Sequence, residues 1–207
     1  MINLNELNIK IFADGADLKS FKDLNSNNFI KGFTTNPSLM KKSGIKNYKE
    51  FAKDLIKEIN DKPISFEVFE DEITDMEKQA RQIATWGKNV YVKIPITNTK
   101  GESTHELVNK LSNEGISCNV TAIFTTKQLK LISDSINNNT PTILSVFAGR
   151  IADTGIDPTS IMKECIEYTQ NKKNIEILWA STREVLNIFQ ANSINCQIIT
   201  VPNDLLK

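Results

Sequence analysis

The chain has 207 residues, with 25 Lys and Arg balanced by 25 Asp and Glu, and one histidine. That length makes one large domain or two small ones, and 40% hydrophobic residues can bury a substantial core. The balanced charge gives no electrostatic case for nucleic acid or an acidic membrane surface, although two arginines suffice for a local phosphate site.

Short β-branched or apolar runs recur along the chain. The first, IKIFAD (9–14), ends in Asp14 and is followed by ADGADLKS, which lacks a GxGxxG turn. FIKGFTT (29–35) carries Thr34, with Asn36 two residues further on, before Pro37. YKEFAKDLIKEI then has helical spacing, with Phe51, Leu55, Ile56 and Ile59 on one face. ISFEV (64–68) ends near Glu67, MEKQARQIATW is again helical, and NVYVKI (89–94) holds Lys93. ISCNVTAIF (116–124) carries Asn119 and Thr121, and the Asn-rich SINNNTPT (135–142) reads as a loop. TILSVF (142–147) carries Ser145 and Phe147, with Arg150 just beyond. PTSIMKECIEYTQ is helical, and Asp157 before Pro158 marks its start as N-cap and first-turn proline. IEILWAS (175–181) ends in Ser181 with Arg183 two further on, and QIITV (197–201) is the last run.

No linker or composition break divides residues 1–207, so a single domain is expected. Strand-like runs alternating with helices predict parallel α/β architecture. A closed (β/α)8 TIM barrel and an open doubly wound sheet both fit this pattern; repeating units without a glycine fingerprint favour the barrel, with short loops. Cys118, Cys165 and Cys196 are far apart without a CxxC pair and read as reduced thiols, not as a disulfide framework or zinc site. His105, in GESTHELVNK, reads as a solvated helix residue. Neither a secretory signal nor an apolar run of membrane-spanning length is visible, which predicts a soluble, cytoplasmic protein with no membrane contact.

In a barrel, the active site sits at the carboxyl ends of the strands. Nearly every run places a polar or charged group late, and the pairs Thr34/Asn36, Asn119/Thr121, Ser145/Phe147 and Ser181/Arg183 are two residues apart, a spacing that keeps both members on one face. If that face points inward, one cavity receives an amine, two carboxyls, amides, hydroxyls and, at its rim, two guanidinium groups. Singly, each has a plain structural explanation. The lysine could be an exposed strand end, Asp14 a turn or cap residue, Asn36-Pro37-Ser38 a helix start, and the arginines surface ion-pair partners. Jointly, all would have to fall at the same end of their strands by chance. A lysine in an apolar wall loses hydration, which favours its neutral, nucleophilic form. Attack on a ketone gives a Schiff base, an electron sink for carbon–carbon cleavage. Asp14 and Glu67 can supply the acid/base groups this needs, with Thr121 as a hydroxyl partner; the arginines suit a phosphorylated substrate, and no metal or cofactor is required.

The stretches FADGAD, GFTTNPSLM, VYVKIP, NVTAIF, SVFAGRIAD, WASTRE and IITVP span the chain from first strand to last. In that order they resemble the transaldolases, in particular the small transaldolase-like proteins grouped with fructose-6-phosphate aldolase. The resemblance implies that Lys93 is the Schiff-base lysine and Asp14 the acid/base on the C4 hydroxyl. It implies that Thr34 and Asn36 contact substrate, that Glu67 and Thr121 work on a catalytic water, and that Arg150, Ser181 and Arg183 bind phosphate. Glu67, Asn119, Ser145 and Phe147 match transaldolase; the aldolase has glutamine at the first and alanine and tyrosine at the last two. The implied activity is transfer of a dihydroxyacetone unit between sugar phosphates. An aldolase-type lyase and a sugar-phosphate-binding protein without turnover stay open as alternatives. Gly15 and Ala16 depart from the Thr and Ser or Ala common in relatives. Trp179 replaces a small residue; by parity it is expected on the face of Ser181, one layer deeper, reshaping the pocket or filling the core. Small relatives continue into a carboxy-terminal helix that packs across subunits in ring-like decamers. With PNDLLK after the last run, a short or missing final helix is expected here, and homo-oligomerisation stays open.

Overall fold

A computed structural model describes residues 6–206. Eight parallel strands close into a barrel in sequence order. They are β1 (Lys10–Asp14), β2 (Ile30–Thr34), β3 (Ile64–Glu67), β4 (Val90–Pro95), β5 (Cys118–Ile123), β6 (Thr142–Val146), β7 (Ile175–Trp179) and β8 (Ile198–Pro202). Each of the eight apolar runs of the sequence becomes one strand. β8 closes on β1 in register from Lys10↔Ile198 to Asp14↔Pro202.

The helices wrap the outside: α1 (Leu18–Asn25), α2 (Pro37–Lys42), α3 (Tyr48–Glu58), α4 (Ile73–Ala84), α5 (His105–Asn113), α6 (Thr126–Ser135), α7 (Ala148–Ala152), α8 (Pro158–Thr169) and α9 (Leu186–Ser193). Their starts follow local chemistry. Asp17 caps α1 by accepting from Ser20 N, and Asn36 caps α2 by accepting from Leu39 N. Asp157 caps α8 by accepting from Thr159 N, with Pro158 in the first turn where no backbone donor is needed. His105 opens α5, with its Nδ1 beside the Ser103 hydroxyl at 3.1 Å. After β8 the described chain makes one 3-10 turn, Asn203–Leu205.

Alternation sorts each strand into two cores. Outward residues such as Phe33, Phe66, Val92 and Ile177 pack with Phe21, Leu55, Ile83 and Met162 from the helices. A smaller inner cluster of Phe12, Ile143, Leu178, Ala180 and Ile198 fills the barrel below the carboxyl ends. Each fully buried large apolar side chain contributes about 1.5–3 kcal/mol relative to exposure. Trp179 corrects the parity expectation: it is 1% exposed and belongs to the outer core, so it does not line the pocket. The three cysteines are free and buried. Among the described residues no helix is long and apolar enough to cross a membrane.

Candidate active site

The carboxyl ends of the strands surround a cavity of about 370 Å³. Lining it are Asp14, Thr34, Asn36, Glu67, Lys93, Thr121, Ser145, Phe147, Arg150 and Ser181, from seven strands and the turns that follow them. Register places the central pair. Glu67 stands opposite Lys93 across β3 and β4, and Lys93 stands opposite Asn119 across β4 and β5. Lys93 Nζ lies 3.1 Å from Glu67 Oε2 and donates to the Thr35 carbonyl at 3.1 Å, with only 11% of its side chain exposed. The wall around this amine is therefore polar, not apolar as the sequence implied.

Asp14 ends β1, two strands round the barrel from Glu67, and accepts from Thr34 Oγ1 at 2.8 Å. Burial pushes its carboxyl above the ordinary value; the charge of Lys93 and the Thr34 hydrogen bond oppose this, and the charge of Glu67 adds to it. A folded-state value above the unfolded one means that ionised Asp14 costs stability. The cost grows as pH rises from the unfolded value of 3.8 towards the raised folded value, and vanishes as pH falls below 3.8. Asp14→Asn is expected to be more stable than the parent by about 1 kcal/mol near neutral pH, with the gap closing in acid. Urea unfolding at about pH 8 and about pH 4 checks it; a gap that widens in acid would be the wrong sign.

Thr121 faces inward by strand parity with Asn119, and the chain bulges just beyond it. The β5–β6 register shifts between Val120 and Ile123, and Ala122 takes a φ of 59°. Its hydroxyl is buried and finds no hydrogen-bond partner among the described residues, an arrangement that costs free energy until something polar binds there. Asn119 lies one layer below the cavity. Its amide donates to Ser65 Oγ at 2.9 Å and its carbonyl accepts from Ser145 Oγ at 2.6 Å, so it holds Ser145 instead of lining the space. Asn36 both caps α2 and lines the cavity, so its role as a helix start leaves it on the cavity wall.

The two arginines part company. Arg150, from α7, lines the cavity. Arg183 is turned away, with Nε 3.2 Å and Nη2 2.5 Å from the two Asp153 oxygens on the exposed surface. Ser181 lines the cavity by leaving the strand alternation altogether, at φ 62°. Leu178 on β7 and Ala180 just past its end are the residues that turn inward. Thr200 on β8 was not singled out in the sequence, yet it lines the cavity and shares a 2.5 Å hydroxyl contact with Thr34. A lone hydroxyl two residues before Pro202 was its only signal. Among the described residues no group of three His, Cys, Asp or Glu could hold a metal ion.

The sequence matches the family described as Transaldolase/Fructose-6-phosphate aldolase over residues 11–207. Proteins named "Probable transaldolase" from Thermoanaerobacter sp. (strain X514) and Caldicellulosiruptor saccharolyticus are each 36% identical over 96% of this chain and 88% of their own length. One of the same name from Methanococcus maripaludis is 34% identical over the same shares. Among solved structures, KGPDC from Streptococcus mutans superposes with a TM-score of 0.63 at 11% identity, over 96% of this chain and 89% of that one. Orotidine 5'-monophosphate decarboxylase from Metallosphaera sedula gives 0.60 at 10% identity, over 96% and 91%. At such identities these two share the fold alone. The match over nearly the whole sequence, with relatives at 34–36% identity, means that this chain belongs to the transaldolase/fructose-6-phosphate aldolase family.

Proposed function

We propose that the chain is a transaldolase that moves a dihydroxyacetone unit from a ketose phosphate to an aldose phosphate through a Schiff base on Lys93. The observation that carries this reading is the buried amine of Lys93, 3.1 Å from Glu67 and in one cavity with Asp14. Proton transfer from Lys93 to Glu67 frees the amine to attack C2 of fructose 6-phosphate or sedoheptulose 7-phosphate. The carbinolamine loses water with Glu67 and the unpartnered Thr121 hydroxyl handling the proton and the departing oxygen. Asp14 then takes the C4 hydroxyl proton, the C3–C4 bond breaks, and its electron pair moves into the iminium to give an enamine. The upward push of burial on the Asp14 carboxyl suits a group that must take up and return a proton. The aldose phosphate leaves, and the enamine attacks the aldehyde carbon of a second aldose phosphate, whose oxygen takes the proton back from Asp14. Water then hydrolyses the new iminium, which releases the ketose phosphate and restores the Lys93 amine. With sedoheptulose 7-phosphate and glyceraldehyde 3-phosphate the products are erythrose 4-phosphate and fructose 6-phosphate. In this reading Arg150 and Ser181, which line the same cavity, hold the phosphate, while Arg183 pairs with Asp153. Phe147 brings no hydroxyl to the cavity wall to activate water against the enamine, which favours transfer over hydrolysis.

The test combines trapping with product analysis. Borohydride added with fructose 6-phosphate is expected to add the mass of the reduced adduct at Lys93 and nowhere else. Fructose 6-phosphate is expected to be consumed with erythrose 4-phosphate present and to persist without it. Steady release of free dihydroxyacetone in the absence of acceptor would make the enzyme a lyase. An untouched Lys93 would leave a sugar-phosphate-binding protein without turnover.

A further inference from the structure

The seam between β2 and β3 is short, with two paired positions like the seam between β7 and β8. Only Phe33 pairs with Ile64 and Thr34 with Ser65 in register. Thr35 adds its backbone N–H and its hydroxyl to the Ser65 carbonyl, at 3.1 and 2.9 Å. One step further along β3, the Glu67 carbonyl lies past the end of β2, and it accepts from Tyr48 Oη at 2.8 Å. Tyr48 is the first residue of α3, so a side chain from outside the barrel supplies the donor that a longer β2 would have supplied.

The same phenol stands beside the Thr35 side chain. Thr35 gives its carbonyl to Lys93 and Glu67 gives its carboxylate, so one hydroxyl touches both backbone segments that hold the amine's partners. Burial, and then the charge of Glu67, push the phenol well above its ordinary value, and it stays a donor throughout the working range. Its ring is held separately, by edge-on contacts with Phe69 at 4.6 Å, Trp86 at 5.2 Å and Phe66 at 6.1 Å. Ring placement and hydroxyl function can therefore be separated by removing a single oxygen.

We propose that Tyr48 is a positioning residue for Glu67: its hydroxyl anchors the free end of β3 so that the carboxylate meets Lys93 within hydrogen-bond reach. This rests on the assignment of Lys93 and Glu67 above. Tyr48 touches neither the cavity nor the reacting atoms in that scheme. A carboxylate released at its backbone drifts by fractions of an ångström, enough to slow proton transfer without altering how the sugar phosphate is gripped.

The experiment follows the rate of borohydride-trapped adduct at Lys93, with kcat and KM for fructose 6-phosphate, in four proteins: parent, Tyr48→Phe, Glu67→Gln and the double variant. Phe69→Leu serves as the packing control. Tyr48→Phe is expected to lower the trapping rate and kcat by about 10-fold or more, with KM within about twofold and the pH profile of kcat displaced. In the Glu67→Gln background the same change is expected to cost less than about twofold, because the group it positions is gone. Phe69→Leu is expected to lower Tm and leave the trapping rate at the parent value. A Tyr48→Phe enzyme with parent kinetics overturns the proposal. So does an equal loss in both backgrounds, activity that falls in step with Tm in both ring variants, or a Tyr48→Phe chain that does not fold, since the hydroxyl is then structural. Failure to trap the parent protein sinks the imine reading itself and this inference with it; normal trapping of the parent with an indifferent Tyr48→Phe sinks only the inference.

Discussion

Lys93→Met is expected to abolish turnover and destabilise the fold in one substitution. Methionine has nearly the same length and fills the same channel, so packing is largely kept. Without the amine no imine forms, and kcat should fall by at least about 10⁴-fold, the scale set by removing a covalent nucleophile. The stability loss comes from the group left behind. Glu67, with 15% of its side chain exposed, loses its cation and stays enclosed with Asp14. Breaking a buried ion pair from one side costs about 3–5 kcal/mol when no water enters; the cavity opening reduces this to about 2–3 kcal/mol. Adding Glu67→Gln should recover most of that loss while restoring no activity. The pH dependence has a definite sign. Lys93 is the charge that holds Asp14 down against burial, so its removal lifts the Asp14 carboxyl further. Stability of the variant should therefore fall more steeply than the parent's as pH rises from acid to neutral. Denaturant unfolding of the parent, single and double variants across that range checks all three statements. A Lys93→Met protein as stable as the parent near neutral pH would mean that the pair is not electrostatically enclosed.

The barrel was legible in the sequence because its strands are apolar on both faces and its helices are amphipathic, so two periods alternate without interruption. The inward set was legible for a related reason. Strand parity is strict wherever the chain stays extended, and Asp14, Thr34, Glu67, Lys93, Thr121 and Ser145 all obey it. Parity failed where the backbone leaves the extended region. Ser181 at φ 62° breaks the alternation, so Trp179 turns out to the helices while Leu178 and Ala180 turn in. Depth was not legible, because it depends on how far each strand is staggered against its neighbour. Asn119 has the right face for the cavity but lies in the layer beneath it. Nor could the polarity around Lys93 be read, since the register that sets Glu67 opposite it is a property of the sheet. Arg183 illustrates the limit of spacing past a strand end. Its partner, Asp153, lies at the end of α7, and nothing local links the two.

Gly149→Ala should be the most damaging single-methyl addition at the phosphate side of the cavity. Gly149 sits in the first turn of α7, and its N–H donates to the Ala180 carbonyl at 3.2 Å, so the helix rests directly on the end of β7. A Cβ there would stand 1.7 Å from the Ser181 carbonyl oxygen and 2.7 Å from its carbonyl carbon. These are backbone atoms, and Ser181 is already held at φ 62°, so neither a rotamer change nor a small local twist can make room. An alanine in a helix normally gains a few tenths to 1 kcal/mol over glycine; here the overlap reverses the sign and costs about 2–3 kcal/mol. Relief requires α7 to move away from β7, which separates Arg150 from Ser181, the two cavity-lining groups proposed to hold the phosphate. KM for fructose 6-phosphate is expected to rise at least about 10-fold. Dihydroxyacetone, which carries no phosphate, should still be trapped on Lys93 at close to the parent rate, because the amine, Glu67 and Asp14 lie on β4, β3 and β1. A variant with parent Tm and parent KM would show that the contact between α7 and β7 is loose enough to admit a methyl group. Equal losses for both ketones would show that the phosphate side and the lysine side of the barrel move together.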